Sequence, residues 1–368
     1  MQTIPDFNEI VEHFCFKGDF LDAVPFGTGH INATYATRFK EPGGLIRRYI
    51  LQRINTQIFK TPEQVMRNIE RVTSYLRNKL DPEDADASRR VITLIPATDE
   101  HFFYVDPDGE YWRAEVFIEG AKTYLTASTL EHYFHASKAY GNFQKDLADF
   151  PIHELHITIQ DFHNTGKRFQ ALIQAIEQDV VNRAVSAKPE INFALQRAKE
   201  TTILLEMLAN GEMHERVTHN DTKLDNVMLD DVTGDGVCVI DLDTVMPGLA
   251  VFDFGDIVRS GANTGLEDEP DLSKIDFDMN IFNRLAHGFL DATRTTLTPV
   301  EIDQLVFGAK LITFEQGLRF LTDHLNGDTY YKIHRLSHNL DRARTQFKLV
   351  QEMENHFDEM LGMIERYR

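Results

Sequence analysis

Between Val217 and Asp243 the chain gathers the residue types that phosphoryl transfer uses. Val217-Thr-His219-Asn-Asp221-Thr-Lys223-Leu-Asp225-Asn226 precedes an apolar run that ends in Val239-Ile-Asp241-Leu-Asp243. The pattern H-x-D-x-K-x-x-N, with an aspartate fifteen residues after the asparagine, has a physical rationale. One carboxylate must stand beside an acceptor hydroxyl to orient it and take its proton. A second carboxylate and an amide oxygen must reach Mg2+ on the other side of the transferred phosphoryl group. Asp221 has the first place and Asn226 and Asp241 the second, so ATP and Mg2+ are the expected cofactors. Each of these residues alone is an ordinary turn former; the whole string before an apolar strand is not. His219 reads as a brace for the loop. Asp253-Phe-Gly255 spells D-F-G but stands 27 residues past Asn226. The metal role therefore goes to Asp241, with Asp243 in support, and Asp253 and Asp256 are expected to brace the loop or cap the following helix.

Earlier in the chain, Phe26-Gly27-Thr-Gly29-His30-Ile-Asn32 places two glycines two apart before a strand. Such glycines let backbone amides approach phosphates. Alone the segment reads as a hairpin turn; ahead of the H-x-D-x-K-x-x-N string it reads as a phosphate-covering loop, with Asn32 where a third glycine is usual. Many kinases carry a lysine on the third strand, and here the sequence is Leu51-Gln52-Arg53. Gln52 supplies no charge, and alternation along a strand turns Arg53 away if Gln52 points inward. Glu70, the matching helix carboxylate, is then left to pair with Arg67 on the helix surface. Lys223 is the candidate for the missing charge near the γ-phosphate, the alternative being a surface lysine; Arg53 and Arg259 are the next cations to consider.

The elements that must position these groups suggest an α+β, two-lobe protein-kinase-like fold, with a small β-rich N-terminal lobe (1–118) and a large, mostly helical C-terminal lobe (119–368). Asn32–Phe39 and Arg48–Gln52 read as strands about a turn at Glu41-Pro-Gly-Gly44. Thr61-Pro62 opens a helix in which Gln64 can close a capping box and Val65, Ile69, Val72 and Leu76 form the apolar stripe. Arg90–Ile95 and Trp112–Ile118 read as further strands. Residues 126–215 are mostly helical, 216–256 are short strands around polar motifs, and the chain after 272 is helical again.

Composition bounds the function. The 368 residues suit two lobes rather than one core. A net charge of -20 argues against a general nucleic-acid binder or a polybasic membrane-surface protein. No run approaches the ~20 apolar residues of a membrane span, and Met1–Asp6 lacks the basic flank and apolar stretch of a signal peptide. Two cysteines, Cys15 and Cys238, offer neither a disulfide framework nor metal-ligand spacing, which fits a reducing cytoplasm. His135, His153, His156 and His163 lack metal-ligand spacing and read as surface or capping residues.

Several segments together resemble the N-acetylhexosamine 1-kinases, a family of the aminoglycoside phosphotransferase group. They are Gly29-His-Ile-Asn32, Tyr49-Ile-Leu-Gln52, Val217–Leu224, Ile240–Thr244, Met246-Pro-Gly248, Phe252–Asp256, Arg319-Phe-Leu and Arg344–Glu352. The resemblance runs over nearly the whole chain and is most specific over 217–260 and 315–352. It implies transfer of the ATP γ-phosphate to the anomeric hydroxyl of N-acetylglucosamine or N-acetylgalactosamine, giving the sugar 1-phosphate and ADP. It also implies a sugar site drawn from His30, Asp221, Arg319 and Tyr330. The nucleotide would then lie between the lobes near Gly27, Gly29, Asn32 and Gln52, against the Phe117-Ile-Glu119 connection.

Spacing alone reads Glu315, Arg319 and Asp323 as an exposed i,i+4 salt-bridge ladder, while Tyr330 and Tyr331 follow a turn at Asn326-Gly-Asp328; the resemblance favours a sugar contact at Arg319 and Tyr330. Two alternatives stay open: another small-molecule kinase acting on an amino alcohol, an aminoglycoside or a different sugar, and a non-catalytic nucleotide-binding protein. No A-P-E triplet follows the motif block, which argues against a protein kinase. The preferred epimer and the oligomeric state are not encoded in these motifs.

Overall fold

The computed structural model describes residues 5–27, 31–84 and 86–368. The chain divides into two compact units. The first is Met1–Ala121 with His153–Ile159 and Val237–Met246; the second is Lys122–Ile152, Gln160–Gly236 and Pro247–Arg368. A small antiparallel-sheet region and a helical remainder make the α+β class plain.

In the first unit, strands β1 (Asp19–Pro25), β2 (Ala33–Lys40), β3 (Ile46–Ile54), β4 (Leu94–Ile95), β5 (Tyr104–Val105) and β6 (Tyr111–Val116) form one sheet. Its order is β1-β2-β3-β6-β4, with β5 also on β6, and all these pairings are antiparallel. Tyr35, Leu51 and Ala114 lie in register on one face. There they meet Ile10 and Val11 of helix α1 (Phe7–Glu12) together with Phe14, Phe39, Tyr49 and Trp112, forming an aromatic-rich core. Thr34, Gln52 and Arg113 lie in register on the opposite face. Helix α2 (Pro62–Lys79) buries Val65, Ile69 and Val72 as its spacing predicts. Its start departs from expectation: Thr61 is the N-cap and Pro62 opens the helix, but the Thr61 side chain caps no backbone N–H and instead donates from Oγ1 to Gln64 Oε1 at 3.2 Å. Asn68 of α2 donates to the carbonyls of His156 (2.9 Å) and Val245 (3.0 Å), holding both returning segments to the helix. Arg90–Ile95 is not one strand. Ala87–Arg90 is a short helical turn, fastened by Arg89 to Asp86 and Arg90 to Asp84, and only Leu94–Ile95 pairs with β6.

The second unit is built on helices α3 (Leu130–Asp146), α4 (Thr165–Gln178), α5 (Ala250–Gly261), α6 (Met279–Thr293), α7 (Leu305–Leu325) and α8 (His338–Asn355). α3 packs along α6, and α7 packs on α8, α5 and α4. The glycine of Asp253-Phe-Gly255 has a packing role. A Cβ on Gly255 would lie 2.8 Å from the Gly308 carbonyl oxygen, and one on Gly308 would lie 2.7 Å from that of Val251. α5 and α7 thus meet backbone to backbone, and Phe254 is buried against Phe282 and Phe289. Among the described residues no helix is long and apolar enough to cross a membrane.

Because no flexible side chain can yield at this crossing, Gly255→Ala is expected to destabilise the fold by about 1–3 kcal/mol, the usual range for overpacking. Denaturant unfolding with an unchanged midpoint would contradict so tight a contact.

Candidate active site

The loop after strand Arg216–Thr218 carries Asp221, and its shape is set by a carboxylate beneath it. Asp253, fully buried in the first turn of α5, accepts from the backbone N–H of His219 (2.9 Å) and Asn220 (2.8 Å) and from Gln144 Nε2 (2.8 Å). Its own carbonyl accepts from Thr222 Oγ1 at 2.5 Å. Burial pushes the Asp253 carboxyl above its usual range, against the pull of His219, Gln144 and the two amides. Asn220 sits at φ 65°, a left-handed conformation that asparagine tolerates; its side chain closes back on Thr218 in both directions, at 2.9 and 3.2 Å. Gly248 lies directly against this turn, and a Cβ there would stand 2.4 Å from Thr218 Oγ1.

On that support Asp221, Lys223 and Asn226 converge. Lys223 Nζ is 3.4 Å from Asp221 Oδ2, and Asn226 Nδ2 donates to the same oxygen at 3.1 Å and to the Asp221 carbonyl at 2.9 Å. Asn226 commits its amide nitrogen to the loop, so the amide oxygen is what it has to offer a cation. Burial raises the Asp221 carboxyl, but Lys223, His219 and Arg259 outweigh it and hold the group below the usual carboxylate range. Asp221 is therefore ionised at neutral pH. Tyr140 of α3 fastens the next residues, its hydroxyl donating to the Lys223 carbonyl at 2.8 Å and accepting from the Lys223 N–H at 3.2 Å. His219 braces as well, its Nδ1 accepting from the Asp221 N–H at 3.3 Å. Arg259 is engaged with Asp256 at 2.8 Å and Glu267 at 3.5 Å.

Behind the loop, two expectations are corrected. His163 is not a surface or capping residue, and Glu315, Arg319 and Asp323 are not an exposed ladder. α7 is buried on most of its circumference, so helical spacing of charges there marks interior contacts. Glu315 accepts from His163 Nδ1 (3.0 Å) and Thr165 Oγ1 (2.7 Å), while His163 Nε2 meets the Asn220 carbonyl at 3.2 Å. Each ring nitrogen of His163 thus faces an oxygen, one from the side chain of α7 and one from the loop that carries Asp221. Burial raises the Glu315 carboxyl, but the bond and charge of His163, with Thr165 and Arg319, hold it below its usual value. One turn on, Arg319 donates to Gln316 Oε1 at 2.9 Å and lies over the rings of Phe162 and Tyr331. Asp323 turns instead to the 326–331 segment, accepting from the N–H groups of Thr329, Tyr330 and Tyr331 at 2.8–2.9 Å. Tyr330 therefore projects from a clamped turn and is 65% exposed.

The remaining candidates belong to the first unit. Gly27 is left-handed at φ 78°; Gly29 and His30 lie outside the described residues. Asp241 sits at φ 61°, opening the tight turn Leu242–Thr244. Both oxygens of the buried Asp243 are taken, Oδ2 by Asn32 Nδ2 at 2.5 Å and Oδ1 by Arg113 Nη1. Gln52 accepts from Arg113 Nε at 2.8 Å and donates to Thr34 Oγ1 at 3.0 Å. Arg53 is on the other face near Glu110 and Trp112, which removes it as a substitute for the third-strand lysine. Glu70 is exposed on α2. Phe117 packs edge-on against Phe26 and under the Arg48 guanidinium, whose Nε donates to Glu119 at 2.8 Å. Sequence reasoning passed over Arg113 and the His163–Glu315 pair. The signal for Arg113 was an arginine in the middle of an apolar strand; no local signal marked the pair.

The His163–Glu315 pair should be visible in stability. Glu315→Leu leaves the His163 ring and the buried Thr165 hydroxyl without their acceptor, at an expected cost of about 1–3 kcal/mol for each group at pH 7. The Glu315 carboxyl is lowered in the folded state, so its contribution is present above the unfolded value near ~4.3 and is lost as pH falls through the folded one. The gap between wild type and variant in denaturant unfolding should therefore shrink below about pH 4; a gap independent of pH would contradict an ionised Glu315.

The chain resembles the aminoglycoside phosphotransferase from Alicyclobacillus acidocaldarius, with a TM-score of 0.62 and 11% identity over 100% of this chain and 98% of that one. It also resembles an amicoumacin kinase solved with AMP-PNP and Ca2+ (TM-score 0.60, 13% identity, 95% and 94% covered) and a Plasmodium vivax ethanolamine kinase (0.55, 15%, 93% and 84%). At these identities the likeness establishes the protein-kinase-like fold. The sequence itself matches the phosphotransferase enzyme family across residues 22–290, well over half its length. With that match joined to the loop that gathers Asp221, Lys223 and Asn226, the chain belongs to the phosphotransferase enzyme family.

Proposed function

We propose that the protein is an ATP- and Mg2+-dependent kinase that phosphorylates the anomeric hydroxyl of N-acetylhexosamines, N-acetylglucosamine or N-acetylgalactosamine. The observation that carries phosphoryl transfer is the convergence of Lys223 and Asn226 on one oxygen of an ionised Asp221. In this reading the Asp221 carboxylate accepts a hydrogen bond from the C1 hydroxyl and fixes its direction of attack. As the new O–P bond forms and the bond to the leaving ADP oxygen breaks, the hydroxyl proton passes to Asp221. Lys223 supplies positive charge beside the reacting oxygens. Asn226 and Asp241 are the proposed donors to the metal, an amide oxygen and a carboxylate, and hard oxygens suit Mg2+. When bound, that ion neutralises charge on the phosphates.

The acceptor assignment rests on the resemblance to the N-acetylhexosamine 1-kinases and is supported by chemistry in the second unit. Arg319 is a half-buried cation with a planar donor array, and Tyr330 is an exposed hydroxyl-bearing ring on a clamped turn. Such groups suit a neutral, hydroxyl-rich acceptor better than a quaternary or polyamine cation. His30 is the fourth proposed sugar contact. Gly27, Gly29, Asn32, Gln52, Phe117 and Glu119 are the proposed nucleotide contacts, and a cytoplasmic location fits ATP as donor.

The test is a panel of acceptors with ATP and Mg2+, assayed for ADP release. N-acetylhexosamines should be turned over and their 1-O-methyl glycosides should not. Turnover confined to choline, ethanolamine or aminoglycosides would replace the sugar assignment, and no turnover of any acceptor would favour a nucleotide-binding role. Asp221→Asn should fold and bind nucleotide while losing about 10²–10⁴ in kcat, the range for a positioned general base; near-normal kcat would remove Asp221 from that role.

A further inference from the structure

A buried arginine in the middle of a sheet requires a reason, because taking a guanidinium out of water is costly unless charges and hydrogen bonds repay it. Arg113 of β6 is 1% exposed and among the largest fully buried side chains. It points to the face of the sheet shared by Thr34 and Gln52, and register places it directly across from Gln52. Its Nε donates to Gln52 Oε1 at 2.8 Å and lies 3.4 Å from Glu115 Oε1, while Nη1 holds Asp243 Oδ1. The second oxygen of Asp243 takes Asn32 Nδ2 at 2.5 Å, and Asn32 Oδ1 accepts from the Asn55 N–H at 3.0 Å. One guanidinium thus joins the third strand, the Asp241–Asp243 turn and, through Asp243, the segment after the glycine loop.

We propose that Arg113 is a positioning residue that takes over the work of the absent third-strand lysine. It supplies the buried positive charge beside Gln52, one strand over, and fixes the turn from which Asp241 reaches a metal–nucleotide complex. This rests on the kinase reading above and adds a residue to it. Asn32, in this arrangement, is held as a strut between the Asp241–Asp243 turn and the end of β3 at Asn55, which explains an asparagine where a third glycine is usual. A lysine at 113 could not reproduce the fork, since the guanidinium serves Gln52 and Asp243 from two different nitrogens.

Calorimetry with ADP, with and without Mg2+, tests this without any acceptor, so an error about the sugar leaves the result intact. Arg113→Met should weaken Mg·ADP binding by about 10–100-fold, the usual effect of removing a group that orients a metal ligand, while metal-free ADP binding changes little. Moving the charge back to the third strand, in the Gln52→Lys, Arg113→Met double variant, should recover the part of the loss that comes from charge and leave the part that comes from the fork. If Arg113→Met does not fold, Arg113→Lys decides: it keeps the charge but gives up the fork, and should weaken Mg·ADP selectively. Wild-type Mg·ADP affinity in whichever variant folds, or equal weakening with and without metal, would overturn the proposal and leave Arg113 a packing residue. Failure of the double variant to improve on a folded Arg113→Met would overturn the transfer of charge from one strand to the next.

Discussion

A buried carboxylate must find donors, and in this protein that requirement shapes the loop that carries Asp221. Asp253 takes the N–H groups of His219 and Asn220 on its two oxygens. Those are the two residues before Asp221, so their directions fix where Asp221 starts. The tension is visible in the raised Asp253 carboxyl: burial disfavours its charge, and His219, Gln144 and the loop's two amides pull the other way without outweighing it. Loss of the loop conformation would strand the carboxylate, so the placement of Asp221 and the stability of the unit are coupled.

The first unit uses the same device. Asp243, two residues after Asp241, is buried and has both oxygens bonded, to Arg113 and to Asn32. In each unit a candidate carboxylate, Asp221 or Asp241, is accompanied by another that is buried and bonded, Asp253 or Asp243. The two groups differ in what answers them. Asp253 is met mainly by amides, which set a shape, whereas Asp243 is met by a full positive charge, which also sets the local field.

Much of the candidate site was legible because its residues are local. Asp221, Lys223 and Asn226 occupy six consecutive positions, and their convergence follows from one short loop. Strands β2 and β3 and helix α2 were likewise announced by turn residues and periodicity. What was not legible depends on partners far away in the chain. Glu315 meets His163 across 152 positions and Arg113 meets Asp243 across 130, and no spacing rule reaches that far. The misreading of α7 has a different origin: i,i+4 charges signal a solvated ladder only on an exposed face, and α7 is enclosed by α8, α5 and α4. At Arg90–Ile95 a β-prone run was interrupted by two local arginine–aspartate pairs that favour a helical turn.

The central claim is that the Asp221 carboxylate directs the anomeric oxygen of an N-acetylhexosamine at the γ-phosphate. Phosphorus NMR of the product made from ATP and N-acetylglucosamine labelled with carbon-13 at C1 tests it at the reacting atom. The expected result is a phosphate signal split by coupling to the labelled carbon. A phosphorylated sugar whose phosphorus shows no coupling to C1 would contradict it, because a different hydroxyl would then be the one that Asp221 orients.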